Sequence, residues 1–201
     1  MLPDLDLRGA LADVRRTGAA FVPEALAETC RERLHREVSG VALAGARGTY
    51  GKHGVRQEAD VAVTADFGRF PQLTLLRDEL VARVHRDGAG IEGTTAWWPD
   101  ELSVQRYRPA DAGITAHLDH RRYAVLVAVF TTTGEADFTL CRNRAGDAVA
   151  MWRAGPASLV LLRAPGFDGL DDGRPLHAVT GPTGGDRVSV SLRMDTPSPG
   201  R

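Results

Sequence analysis

From about residue 101 to residue 194 the chain breaks into short β-type runs, and no other feature constrains its fold as tightly. The runs are 101–108, 114–118, 123–131, 137–141, 147–152, 158–163, 175–180 and 187–194. Pro109, Gly113, Gly134, Gly146, Gly155-Pro156, Gly166 and Gly184-Gly185 separate them. Runs of this length bounded by glycine and proline read as strands joined by turns, because proline cannot donate to a ladder and glycine takes backbone angles that a ladder excludes. Ala124-Val125-Leu126-Val127-Ala128-Val129-Phe130 is apolar at every position. Both of its faces are therefore expected to be buried, which makes it a central strand. Eight short strands in succession predict a sheet folded back on itself as a double-sheet jelly roll.

The first hundred residues have helical texture. Residues 6–17 place Leu7, Leu11 and Val14 on one side of a short helix that Gly18 ends, and Ala19–Val22 reads as a strand. Pro23 is expected to open a helix over 24–39, in which Leu26, Cys30, Leu34 and Val38 form one apolar stripe and Gly40 marks the stop. A third helix over 72–86 aligns Leu73, Leu76, Leu80 and Val84. Such stripes suit helices packed on one outer face of the sheet. Residues 41–71 are glycine-rich and read as irregular, with Arg47, Lys52, His53 and Arg56 clustered among them. That segment is either an anion-holding loop or a solvated one, the second being the plainer reading. Trp97-Trp98 either seals a core edge or walls a pocket. The expectation is one domain over 1–201: helical support and an irregular substrate-side segment over 1–98, a jelly-roll core over 99–195, and a frayed tail over 196–201.

Charge narrows the partners. The net charge is −1, without the basic excess of a dedicated nucleic-acid binder. No apolar run reaches the length of a membrane span, and the acidic start Met1-Leu2-Pro3-Asp4-Leu5-Asp6 is not followed by the apolar core of a signal peptide. A cytoplasmic protein with a small-molecule substrate, no nucleic acid and no membrane is expected. Cys30 and Cys141 read as two buried thiols.

The chemistry is concentrated on three strands. In His117-Leu118-Asp119 the imidazole and the carboxylate sit at i and i+2, on one face of an extended chain, and can share one metal ion. His177 opens the seventh strand, and the eighth alternates strictly. Arg187, Ser189, Ser191 and Arg193 share one of its faces, and Val188, Val190, Leu192 and Met194 share the other. Burying two arginines on a strand is costly unless that face binds anions. An arginine beside a metal can grip, through a bidentate fork, the far carboxylate of an acid that chelates the metal.

His117-x-Asp119, the distant His177, Arg187 ten residues on and Ser189 two beyond it resemble the signature of the iron(II) and 2-oxoglutarate-dependent dioxygenases. The resemblance covers residues 101–194. It implies a double-stranded β-helix (jelly roll, cupin-like) core carrying N-terminal helices on one outer face. It implies iron(II) on His117, Asp119 and His177, 2-oxoglutarate held by Arg187 and Ser189, and molecular oxygen as second co-substrate. The implied reaction decarboxylates 2-oxoglutarate to succinate and carbon dioxide and oxidises a C–H bond, most simply by hydroxylation. A carboxylate at Asp119 fills the position that halogenating relatives keep small. A looser similarity to the AlkB-like branch rests on Gln105-Arg106-Tyr107 ahead of the triad and on Arg193 six residues after Arg187. There Tyr107 either hydrogen-bonds the co-substrate or is a core aromatic, and Arg193 either holds the other end of the co-substrate or pairs with an acid such as Asp195. Gln105 stands where that branch has Asn. His120 and Arg121-Arg122 read as a solvated turn in preference to part of the pocket mouth.

The competing readings are an AlkB-like demethylase of nucleic acid or protein, which would need a basic groove beside the iron, and a jelly-roll binding module without catalysis. A cupin-type metal enzyme would show His-x-His with a following Glu, and the chain has none.

Overall fold

A computed structural model describes residues 1–3 and 5–195; the tail expected over 196–201 lies outside the described residues. All eight strands expected beyond residue 100 form: β4 (Glu101–Tyr107), β5 (Gly113–His117), β6 (Tyr123–Thr133), β7 (Ala136–Cys141), β8 (Ala148–Ala154), β9 (Leu159–Arg163), β10 (His177–Thr180) and β11 (Arg187–Asp195). β1 (Ala19–Val22) also forms. The helices are α1 (Arg8–Thr17), α2 (Glu28–Ser39) and α3 (Pro71–Asp87).

Two sequence expectations are corrected. Residues 41–71 are not irregular. Most of them form a hairpin of β2 (Ala44–Tyr50) and β3 (Val55–Thr64), whose register pairs Tyr50 with Val55 across the Gly51-Lys52-His53-Gly54 turn. The second helix begins at Glu28, four residues later than expected, because Glu24 takes a φ of 32° and Ala27 is extended. Ala25 and Leu26 are still buried, so the approach to the helix anchors in the core although it is not helical.

The strands run in the order β1-β9-β6-β11-β4-β3-β5-β10-β7-β8, with β2 on β3. β3 turns the corner. Its residues Asp60–Thr64 pair with β4, and its residues Gln57 and Glu58 pair with β5. The chain beyond it winds as two facing sheets, β9-β6-β11-β4 and β5-β10-β7-β8, a double-stranded β-helix. β6 is central, as its two-sided apolarity requires. Its register against β11 shifts twice, and one of the two shifts lies near Val125, which carries a positive φ of 64°.

The two faces of β6 and β11 feed two cores. Leu126, Ala128, Phe130, Val190 and Leu192 join Leu11, Leu34, Leu73, Leu76 and Leu80 in the layer between sheet and helices. Burying each of these large side chains contributes roughly 1.5–3 kcal/mol. Val127, Val160, Leu162, Phe138, Leu140 and Val179 form a smaller core between the two sheets. One end of that inter-sheet space is polar, and the candidate site lies there. Trp97 belongs to the helix-side core. It is fully buried and donates its indole N–H to the carbonyl of Leu126 at 2.9 Å, while Trp98 is exposed and covered by Arg77. Neither walls the site. Cys30 and Cys141 are free and buried. No helix among the described residues is long and apolar enough to cross a membrane.

Candidate metal centre

β5 and β10 are antiparallel neighbours, and their register sets His117 directly opposite His177. Side chains opposite one another share a face. The two imidazole centroids are accordingly 4.2 Å apart, with planes inclined by 52°. Asp119 follows two residues after His117, just past the end of β5, and turns back to the same place. One ligand atom from each of His117, Asp119 and His177 can be chosen so that all lie within 4.8 Å of one another. Small side-chain rotations bring three such donors onto a single ion.

Hydrogen bonding fixes which ring nitrogens are offered. Nδ1 of His117 lies 3.0 Å from the carbonyl of Thr115, and Nδ1 of His177 lies 3.1 Å from the carbonyl of Pro175. A carbonyl only accepts, so each Nδ1 carries a proton and Nε2 is the nitrogen left to face a metal. This is the tautomer that a metal-binding histidine needs, held by its backbone partner. Burial first, and then the His177 ring, pull the His117 imidazole down to about 4, so it is neutral at physiological pH. Burial alone would raise the Asp119 carboxyl, but His177, Arg193 and His117 outweigh it and hold the group below its usual range, ionised. Phe138 stacks on His177 at 5.2 Å and 6° and fixes the plane of that ring. The Arg174 guanidinium donates to the Asp119 carbonyl and braces the short segment after β5. Neither Phe138 nor Arg174 is marked by any residue pattern, because each contact depends on strands pairing or loops meeting.

The opposite wall is the polar face of β11 and β4. Arg187 pairs in register with Tyr107, Ser189 with Gln105, and Ser191 with Ser103. Arg187 is 1% exposed, yet its one side-chain hydrogen bond is to the Thr131 hydroxyl at 3.0 Å, and no carboxylate pairs with it among the described residues. Its Nε and the hydroxyls of Ser103, Ser189 and Ser191 are buried without a protein partner. Burial pushes the guanidinium below its ordinary range, while Tyr107 works the other way. A buried cation surrounded by unpartnered hydroxyls is a costly arrangement that an oxyanion would relieve. Tyr107 is buried beside it, its ring 5.8 Å from the Arg187 guanidinium carbon and its hydroxyl 3.4 Å from Oε1 of Gln105. Burial raises the phenol, which keeps its proton as a donor.

Arg193 also faces this space, but its guanidinium is largely engaged. It lies 3.3 Å from Glu101 and 3.1 Å from the Tyr123 hydroxyl, and its Nε is unpartnered. Of the two alternatives for Arg193, pairing with an acid is the one seen, but the acid is Glu101, and Asp195 binds Arg122. Arg122 thus turns into the Glu101–Tyr123 network and away from the pocket mouth, whereas His120 and Arg121 do line the outer opening. All seven residues singled out as metal- or co-substrate-binding (His117, Asp119, His177, Arg187, Ser189, Tyr107 and Arg193) line one cavity between the sheets.

The donor set fits iron(II): two imidazoles and one carboxylate can make a facial triad with open positions, and the oxyanion-seeking Arg187 stands across the same cavity.

No protein-family model matches the sequence, and no curated protein matches it significantly. Solved structures do match the fold. A Pseudomonas putida prolyl-4-hydroxylase is 16% identical with a TM-score of 0.59, covering 96% of this chain and 100% of that one. The non-haem α-ketoglutarate-dependent epimerase SnoN from nogalamycin biosynthesis is 15% identical with a TM-score of 0.61, covering 94% and 82%. The non-haem α-ketoglutarate-dependent carbocyclase SnoK from the same biosynthesis is 13% identical with a TM-score of 0.62, covering 94% and 83%. From β1 to β11, this chain has the double-stranded β-helix fold shared by the non-haem iron and 2-oxoglutarate-dependent oxygenases.

Proposed function

We propose that the protein is an iron(II) and 2-oxoglutarate-dependent dioxygenase that oxidises a C–H bond of a small molecule, such as an amino acid or a secondary metabolite, most simply by hydroxylation. The observation that carries this reading is the pairing of two features in one cavity: a His-Asp-His cluster on one sheet and a buried guanidinium without an acid on the other. The likeness to hydroxylase, epimerase and carbocyclase folds supports it.

His117, Asp119 and His177 would hold the iron, with the two Nε2 atoms and one carboxylate oxygen as donors. Bound there, iron(II) with 2-oxoglutarate and oxygen supplies oxidative decarboxylation to succinate coupled to C–H oxidation. Arg187 would fork the far carboxylate of 2-oxoglutarate, with the Ser189 hydroxyl as second donor and Thr131 steadying the guanidinium. Tyr107, protonated, would donate a further hydrogen bond. Arg193, tied to Glu101 and Tyr123, would set the positive field behind Asp119 more than grip a ligand. Phe138 and the Pro175 carbonyl would hold the His177 ring in its donating orientation.

The test is anaerobic titration with iron(II) and 2-oxoglutarate, watching for the weak visible charge-transfer band of the chelate. His177→Ala and Arg187→Ala are each expected to abolish the band or weaken it strongly. Retention of the band by both variants would overturn the assignment. Succinate release against a panel of candidate substrates then identifies the substrate.

A further inference from the structure

Outside the metal centre lies a second cavity of about 380 Å³, which shares His117 and Asp119 with the first. Four separate pieces of chain wall it: the β2–β3 turn, the end of β5 with the segment after it, the β7–β8 loop, and the segment before β10. Its charge is one-sided. Lys52, Arg121, Arg144 and Arg174 line it together with His53 and His120, and the acid among its lining residues is Asp119. Arg174 is occupied by Asp172 and by the Asp119 carbonyl. Among the described residues, Lys52, Arg121 and Arg144 have no ion-pair partner.

Most of the described arginines elsewhere find acids, although Arg33, Arg36, Arg69, Arg142, Arg163 and Arg187 do not. Arg47, Arg106 and Arg108 converge on Asp60, and Arg153 reaches both Glu135 and Asp137. With 26 acidic residues against 25 basic ones, partners are plentiful, so an acid-free rim around one cavity is a local departure. The cations also approach one another. Lys52 and His53 of the hairpin turn and Arg144 of the β7–β8 loop line the same opening, and the charges of Arg144 and Lys52 add to desolvation in lowering the His53 imidazole. Cations gathered in this way repel one another, and an oxyanion between them turns that repulsion into charge-assisted hydrogen bonds.

We propose that the substrate is a small molecule bearing an oxyanion, a phosphate ester or a carboxylate, gripped by Lys52, Arg121 and Arg144 while its reacting carbon reaches the metal centre. The inference rests on the dioxygenase reading above and extends it to the substrate class. The cavity has small-molecule size. The net charge of −1 gives a long polyanion such as a nucleic acid no general attraction.

The test uses protein loaded anaerobically with iron(II) and 2-oxoglutarate, titrated calorimetrically with phenyl phosphate, benzoate and benzyl alcohol. One or both oxyanions are expected to bind and the alcohol not, and the tighter oxyanion identifies the source of the charge. Lys52→Ala, Arg121→Ala and Arg144→Ala should each weaken oxyanion binding about three- to tenfold, and the double variant Lys52→Glu/Arg144→Glu should remove it. Every one of these variants should keep the charge-transfer band. Absence of that band in the unaltered protein would sink the dioxygenase reading. A normal band with equal binding of all three probes, or with binding unchanged by charge reversal, would sink the anion site alone. Loss of binding only on Arg187→Met would place the probe in the inner pocket, also against the proposal. Tighter capture of a single-stranded oligonucleotide than of either probe, abolished by the same double variant, would overturn the small-molecule assignment.

Discussion

Replacing Arg187 by Met should move stability and co-substrate binding in opposite directions. The guanidinium is 1% exposed, has one hydrogen bond, to Thr131 at 3.0 Å, and meets no carboxylate among the described residues. The effective cost of an unpaired buried ion is several kcal/mol. Met has a similar stem and no charge, so the variant sheds that cost. Against this stand the lost Thr131 bond, about 1 kcal/mol, and an imperfectly filled space, about another 1 kcal/mol. The net expectation is a ligand-free protein more stable by about 1–2 kcal/mol, which raises Tm by about 4 °C for a domain of this size. The same change forfeits two charge-assisted bonds to a carboxylate, roughly 3–5 kcal/mol, or a factor of about 10² to 10⁴ in 2-oxoglutarate affinity. Differential scanning fluorimetry with and without 2-oxoglutarate, in the presence of iron(II) under argon, reads both effects. The unaltered protein should gain about 2.7 kcal/mol at a hundredfold excess of ligand over its Kd, and the variant about 0.4 kcal/mol at most at the same ligand concentration. A variant that keeps the ligand-induced shift, or that melts lower than the unaltered protein without ligand, would refute the reasoning.

Gly113→Ala should damage the metal centre from outside it. Gly113 has a φ of +86°, and a Cβ there would meet the Val179 carbonyl oxygen at 2.1 Å, in the ladder that sets His117 opposite His177. A loss of about 3 kcal/mol in urea unfolding together with loss of the charge-transfer band is expected, whereas Gly146→Ala, with open space around it, should cost only about 1 kcal/mol and keep the band. Glu101→Gln strips the carboxylate from Arg193 and Arg122 in a buried network, and urea midpoints should fall by the equivalent of about 2–4 kcal/mol. Hydrogen bonds from Arg47 and Arg106 depress Asp60 to about 2 from an ordinary value near 3.8. A depressed carboxyl contributes stability above its unfolded value and loses it as pH falls through the folded one. Asp60→Asn should therefore flatten the stability profile between about pH 4 and pH 2 while lowering it near neutrality.

How far the sequence speaks depends on where the side chains point. The eight later strands were readable because one face of each packs into a core, and alternation or continuous apolarity records that burial. β11 is the clearest case, with Val188, Val190 and Leu192 on the helix-side core and Arg187, Ser189 and Ser191 on the pocket. The helix stripes were readable for the same reason, and Leu11, Leu34, Leu73, Leu76, Leu80 and Val84 are all fully buried. β2 left no such trace. Ala44–Tyr50 is almost wholly exposed and contains two glycines, so its extended form comes from pairing with β3 and not from any pattern of its own. The better clue was Val61 and Val63 in alternation beyond the Gly51–Gly54 turn. At the candidate site, the His117-Asp119-His177 cluster and Arg187 could be picked out by spacing and by the cost of burying a cation. The engagement of Arg193 by Glu101 could not, because those residues lie 92 positions apart and meet only through the β4–β11 register.

Lys52, at the tip of the β2–β3 hairpin, is the one lysine in the chain. Arginine supplies every other basic side chain, and the α-amino group of Met1 is engaged by Glu79 at 2.8 Å. Amine-directed reagents therefore have a single exposed ε-amino group to find, at the edge of the outer cavity. An environment-sensitive dye coupled there would place an optical reporter beside the opening without mutagenesis, and its emission could follow the arrival of each candidate molecule in turn.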